Sequence, residues 1–423
     1  MNSPHLSRRG LISALGIGAA GIGAASLTSA PAALAASPSR NSRPTTPRQT
    51  TYSFTGEHQA GIATAAQENL RFTSLNVTTN SRSDLIDLLR TWTVAAAAMT
   101  QGREVGATGA LKGSPDLAPD DTGEALDLGA AGLTITFGFG STLFRTTRGQ
   151  DRFGIAGQQP ATLKPLPAFS ADELQEGISG GDICIQACSD DAQVALHAVR
   201  NLARLAEGAA TVAWSQSGFG KSSTLARDGK TPRNLFGFKD GTANIRSNSD
   251  FDDFVWASSG DGPAWMAGGT YLVARKVEMI LETWDNEDLT EQQEVFGRTK
   301  GTGAPLSGGS ERTRPNFRAT GANGEPMIDP HSHIALAAPG RAGRILRRGY
   351  NYAEGTHADG TQDAGLFFIA FMRDIDRQFV PMQRRLADSD LMNEYVRYRS
   401  GSTFAIPPGV RTSQQYVGQS LFG

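Results

Sequence analysis

Gly181-Asp182-Ile183-Cys184-Ile185-Gln186-Ala187-Cys188-Ser189-Asp190-Asp191, residues 181–191, alternates apolar and polar side chains before breaking into small and acidic ones. The alternation over Asp182–Ala187 predicts a strand running into a turn. Asp190–Ala206 follows with Ala, Val and Leu recurring at helical spacing. Upstream, Leu133–Gly140 alternates as a second strand, and Ser83–Thr100 spaces Leu85, Ile86, Leu88, Leu89, Trp92 and Val94 on a helical period. Strands with alternating faces mixed with amphipathic helices predict antiparallel sheets carrying helices on one side, an α+β class.

The second half repeats the theme. Gly269–Val277 reads as a strand, Met279–Asn286 as the start of a helix and Leu289–Glu294 as another. Gly365–Met372 is a continuous apolar strand, and Asp390–Tyr395 looks helical. The Gly-rich stretch 301–324 is a loop carrying Arg312, Arg314 and Arg318. Two halves of similar content in 423 residues predict two domains, residues 51–218 and 219–423, with the boundary near Ser215–Asp228. At 39% hydrophobic and 8% aromatic residues the chain can build a core. Its net charge of −2, without a basic block, argues against nucleic acid as a partner.

Ser7-Arg8-Arg9-Gly10-Leu11-Ile12 opens an uncharged run that closes near Ala33-Leu34-Ala35. Basic start, apolar stretch and small-x-small end predict an export signal over 1–35, of twin-arginine type, with a flexible leader over 36–50. Gly and Ala dilute the run too far for a stable membrane anchor. The twin-arginine route carries folded proteins, which hints at a prosthetic group inserted before export to a periplasm or the medium.

Cys184 and Cys188 are the only cysteines. Four extended residues separate their α-carbons by about 13 Å, beyond the ~7 Å that a disulfide tolerates. They are expected as buried thiols. Six histidines (His5, His58, His197, His331, His333, His357) cannot easily supply a four-ligand zinc site. One imidazole suffices for haem, which brings four equatorial nitrogens of its own. His197, among apolar helical neighbours, is expected in a satisfied core or surface role.

Three segments carry candidate chemistry: Asp329-Pro330-His331-Ser332-His333-Ile334, Gly237-Phe238-Lys239-Asp240-Gly241-Thr242-Ala243-Asn244, and Ile345-Leu346-Arg347-Arg348-Gly349-Tyr350. With Gly56–Ile62, Glu282–Asp285, Phe296-Gly297-Arg298 and Thr302–Leu306 in order, they resemble the dye-decolourising peroxidases. The match is to the exported, iron-uptake-associated class of that family, the deferrochelatase/peroxidase-like proteins. The resemblance runs from about Gly56 to Val410 and implies two ferredoxin-like α+β domains, with one haem b per subunit held in the second.

Carried over by position, His333 resembles the iron ligand, with His331 the local alternative. Asp240 resembles the distal acid and Arg347 the distal arginine. Gly241, Thr242 and Ala243 fall beside the cofactor, and Leu366 and Phe368 resemble the apolar pair walling the pocket. Glu394 fits by position the carboxylate behind His333. The chain departs from the family after His333, where it reads Ile-Ala-Leu-Ala-Ala-Pro-Gly and is a few residues short before Arg347. That leaves the choice between Arg347 and Arg348 open. Gly349 stands where another class has a distal Asn.

The resemblance implies reduction of hydrogen peroxide, with Asp240 as general base and then general acid and Arg347 stabilising developing charge. Bulky or phenolic reductants would deliver single electrons, with Trp256, Trp265, Trp284 and Tyr350 as candidate relays. Iron release from haem to an uptake system, and non-catalytic haem carriage, are the alternatives; homo-oligomerisation is left open.

Overall fold

A computed structural model describes residues 50–220, 230–338, 340 and 343–423. The expected export signal, His5 and all but the last residue of the leader lie outside the described residues. Gln49–Gly423 form one compact unit.

Ten strands make a single antiparallel sheet: β1 (Asn69–Val77), β2 (Thr134–Gly140), β3 (Ile183–Ser189), β4 (Ala210–Phe219), β5 (Thr270–Met279), β6 (Leu346–Arg347), β7 (Tyr350–Thr356), β8 (Gln362–Met372), β9 (Val396–Tyr398) and β10 (Ser402–Ile406). Their order is β6-β8-β7-β4-β1-β3-β2-β10-β5-β9, and β8 also pairs with β5. The extra pairing closes eight strands into a ring. Order β4-β1-β3-β2 comes from the first half and β7-β8-β5-β10 from the second, joined by β4–β7 at Phe219↔Asn351 and by β2–β10 at Phe139↔Ala405 and Gly140↔Phe404. β6 and β7 lie end to end along one edge of β8, and β10 and β9 along one edge of β5. Closure removes most open edges.

Alternation sorts the side chains. Leu70, Phe72, Cys184, Cys188, Trp214, Leu272, Ala274, Tyr350, Tyr352, Phe367, Ile369, Phe371, Phe404 and Ile406 fill the ring's interior. Both cysteines are buried free thiols, as the spacing requires. Helices cover the outside of the first half. α1 (Arg82–Met99) is capped by Ser81, whose side chain accepts from Asp84 N–H, and buries Leu85, Leu88, Leu89, Trp92 and Ala96 on one stripe. α2 (Ala192–Leu205) is capped by Asp191 and buries Val194, Ala198, Val199 and Leu202. His197 on α2 is buried and hydrogen-bonded to Glu124, a satisfied core histidine.

Outside the second half, a third apolar cluster gathers Phe236, Phe238, Val277, Met279, Trp284, Val295, Phe296, Met392 and Tyr395. It receives α3 (Leu289–Phe296), and α4 (Val380–Ser389) lies beyond it in the chain. The helix expected over Met279–Asn286 is one turn, Leu281–Trp284, because β5 runs on to Met279. Asp390–Tyr395 holds a single 3₁₀ turn, Leu391–Glu394. The stretch named as a boundary begins inside β4, at Ser215.

Candidate active site

The site is built on the outer face of β8. Phe367, Ile369 and Phe371 point into the ring, so Leu366 and Phe368 alternate outward onto the third cluster. Both are only half-buried.

One helical turn, His333–Leu336, follows Ser332, whose hydroxyl donates to Asp329 O at 2.7 Å. His333 Nδ1 lies 2.8 Å from Asp390 Oδ2, and the Asp390 side chain is 0% exposed. A carboxylate can only accept, so the ring proton sits on Nδ1 and the Nε2 lone pair is left open. Nε2 has no hydrogen-bond partner among the described residues, and the side chain is 34% exposed. His331 turns outward instead and pairs with Asp329.

The carboxylate behind His333 is therefore Asp390, not Glu394. Asp390 caps the Leu391–Glu394 turn, accepting from Met392 N–H at 2.9 Å, which faces it inward. Glu394, at the far end of that turn, is exposed. Its charge joins those of Glu294, Glu287 and Asp288 in raising the Glu291 carboxyl, an effect led by burial.

Asp240 lies in the loop between Gly237 and Asn244, with its N–H on Pro232 O at 2.8 Å. Arg347 Nη1 donates to Asp240 Oδ1 at 2.6 Å, so the acid and the guanidinium are in direct contact. Arg348 does not compete. It is buried, and its guanidinium is spent on Thr64 O, Ala65 O and Gln67. The two halves of the site meet through aromatics: Phe238 stacks on Phe296 at 3.9 Å, and Phe296 sets an edge against His333 at 6.2 Å.

Gly241 holds φ +124°, a conformation that favours glycine. Thr242 beside it is half-buried and Ala243 exposed. Gly297, the C-cap of α3, has φ +77°, and a Cβ there would lie 2.7 Å from Ile334 and 2.9 Å from Ser332 Oγ. Its bareness lets the histidine turn pack against α3.

Besides Asp390, two site residues escaped the sequence. Arg298 is 6% exposed; burial first, and the positive charge of Arg347 second, hold its guanidinium below the usual range, with Glu311 opposing. Its place in Phe296-Gly297-Arg298 was the available signal. Asn244, at the end of the acid's loop, bonds the Arg347 backbone. The four candidate relays are all buried. Trp265 and Trp284 spend their indole N–H on Gln158 O and Phe236 O, Trp256 stacks on His58 at 3.7 Å, and Tyr350 is inside the ring.

An α+β protein with a carboxylate-backed imidazole and an acid–guanidinium pair on one face of its ring has the framework of a single-histidine metal centre. The chain matches "Dyp-type peroxidase, N-terminal" over residues 59–220 and "Dyp-type peroxidase, C-terminal" over 231–411. It belongs to the Dyp-type peroxidase family. The deferrochelatase of Escherichia coli (strain K12) is 36% identical over 377 residues, covering 87% of this chain and 86% of that protein. A DyP-type peroxidase from Cellulomonas bogoriensis is similar in structure with a TM-score of 0.80 and 38% identity, over 88% of this chain and 98% of its own. Ferric DtpA from Streptomyces lividans has a TM-score of 0.80 at 36% identity, over 88% and 97%.

Proposed function

We propose that this protein is a haem-dependent peroxidase that reduces hydrogen peroxide at the expense of one-electron donors. The contact between Arg347 and Asp240 carries the reading, because a haem carrier needs no acid paired with a guanidinium. The residues fit haem b. His333 offers an open Nε2 with its other nitrogen anchored on a buried carboxylate, Leu366 and Phe368 offer a half-buried apolar wall, and the glycine at 241 permits close backbone approach.

Haem, when bound, supplies the iron that coordinates peroxide and the redox chemistry that cleaves its O–O bond. The chain's own residues handle protons and charge. Asp390 keeps the proton of His333 on Nδ1 and makes the imidazole a stronger donor. Asp240 takes up the first proton of peroxide and returns it to the departing oxygen, which leaves as water. Arg347, always cationic, steadies the negative charge that grows on the parting oxygens.

The ring's two arcs support a finer reading, two ferredoxin-like domains spanning 51–218 and 219–423 with haem in the second. Each arc has the antiparallel order of a βαββαβ unit. Export by the twin-arginine route, after folding around haem, belongs to the same reading. Among the described residues no helix is long and apolar enough to cross a membrane.

The curated relatives named deferrochelatase favour a second use of the same site, release of iron from haem to an uptake system. The deciding experiment is absorption spectroscopy of the purified protein titrated with haemin and then peroxide. A one-to-one Soret band that shifts on peroxide addition and returns with an electron donor is expected. Metal-free protoporphyrin appearing without peroxide consumption selects iron release, and a protein that takes up no haemin defeats both.

A further inference from the structure

The strand that carries Arg347 is two residues long and bonded on one side only. Leu346 and Arg347 pair with Phe371 and Ala370 of β8, and the next amide, Arg348 N–H, donates back to Ile369 O at 2.7 Å. Successive residues of a strand send their N–H and C=O to opposite sides. The N–H and C=O of Arg347 therefore face away from β8, and β4, whose last residue Phe219 pairs with Asn351, ends short of them. The side chain of Asn244 fills this edge. Its Nδ2 donates to Arg347 O at 2.7 Å, and its Oδ1 accepts from Arg347 N–H at 2.9 Å. One carboxamide thus presents the donor–acceptor pair of a missing strand. The same loop carries Asp240, four residues earlier, which takes the Arg347 guanidinium. Arg344 adds a tie from the other direction, donating to Asn244 O at 3.1 Å.

We propose that Asn244 is a positioning residue for the peroxide reaction. Its carboxamide acts as a one-residue surrogate strand that fixes the main chain of Arg347, so that guanidinium and acid are held in register by a single loop. This rests on the peroxidase reading above. Geometry makes the demand specific. Aspartate at 244 keeps the acceptor for Arg347 N–H but loses the donor to Arg347 O, setting oxygen against oxygen. Alanine loses both bonds and leaves two backbone groups at a half-buried edge without partners.

The test uses haem-loaded full-length protein, normalised to haem content, and separates the two half-reactions by steady-state kinetics. Asn244→Ala should lower kcat/KM for hydrogen peroxide by about tenfold to a hundredfold, the scale of a roughly 1 Å misplacement. It should leave kcat/KM for the reducing substrate, and the Soret band, within twofold of wild type. Placed on Arg347→Leu, it should cost less than twofold further, because its effect runs through that side chain. Should Asn244→Ala fail to fold, the isosteric Asn244→Asp carries the same measurements, with the same split. A wild-type peroxide rate in the Asn244 variant, or an equal additional loss on the Arg347→Leu background, overturns the inference. If Arg347→Leu and Asp240→Asn themselves keep the wild-type rate, the peroxidase site is what fails.

Discussion

His333 Nδ1 meets Asp390 Oδ2 at 2.8 Å across 57 residues of chain, the acid wholly buried and the imidazole one-third open. This contact decides which nitrogen is free to bind metal and how strongly it donates.

Replacing Asp390 by Asn should therefore weaken haem retention by about 10- to 100-fold, the usual scale for an outer partner of a ligating histidine. Haem transfer to an excess of apomyoglobin measures it. Glu394→Gln, on the exposed end of the same turn, should transfer haem at the wild-type rate.

Asp240→Asn removes the proton acceptor while keeping shape and a hydrogen bond to Arg347. The peroxide step should slow by about 10²- to 10⁴-fold, read by stopped-flow absorbance. Arg347→Leu should cost about 10²- to 10³-fold by loss of charge stabilisation. Their double variant should lose much less than the product, since the two groups touch.

Gly297→Ala tests the close packing of the histidine turn. An L-residue in the left-handed region costs roughly 1–2 kcal/mol, and the new methyl would press on Ile334 and Ser332. A lower unfolding midpoint of the haem-free protein and faster haem loss are expected together. Loss of stability with unchanged haem affinity would show that the turn adjusts freely.

Far from the site, Glu124 offers a pH test of how the 101–133 segment is held. Burial raises its carboxyl, but hydrogen bonds from Thr122, His197 and Arg200 outweigh that and bring it from 4.5 down to about 2. A depressed folded value means the stabilisation is complete above about 4.5 and fades as pH falls through about 2. The stability difference between wild type and Glu124→Gln, from denaturant unfolding, should be constant from pH 7 to 5 and shrink towards pH 2. A difference that grows on acidification would contradict the assignment.

Much of this could be read from residue order. Asp240, Arg347 and His333 stand in short segments whose composition advertises their chemistry, and the structure joins the first two directly. The miss at Glu394 has a local cause. Asp390–Tyr395 looks like a helix face, but a 3₁₀ turn capped by Asp390 swings the capping acid inward and the fourth residue out. Asn244 and Arg348 were illegible because their partners, the Arg347 backbone for one and Thr64 O, Ala65 O and the Gln67 side chain for the other, lie in distant segments and leave no periodic trace. β1 and β10 bury Thr73, Ser74, Ser402 and Thr403, so small polar residues blur an alternation that is complete in space. Both halves were visible as α+β; that their strands would share one ring was not, because one residue pair at one seam and two at the other decide it.

That ring also sets a timetable for biosynthesis. Residues 402–406 are the stave between β2 and β5, so a chain still emerging from the ribosome has its first four strands made long before the circle can shut. Until that last stave arrives, the Thr270–Ala274 stretch of β5 has an unpaired flank, opposite its seam with the strand that carries Leu366 and Phe368.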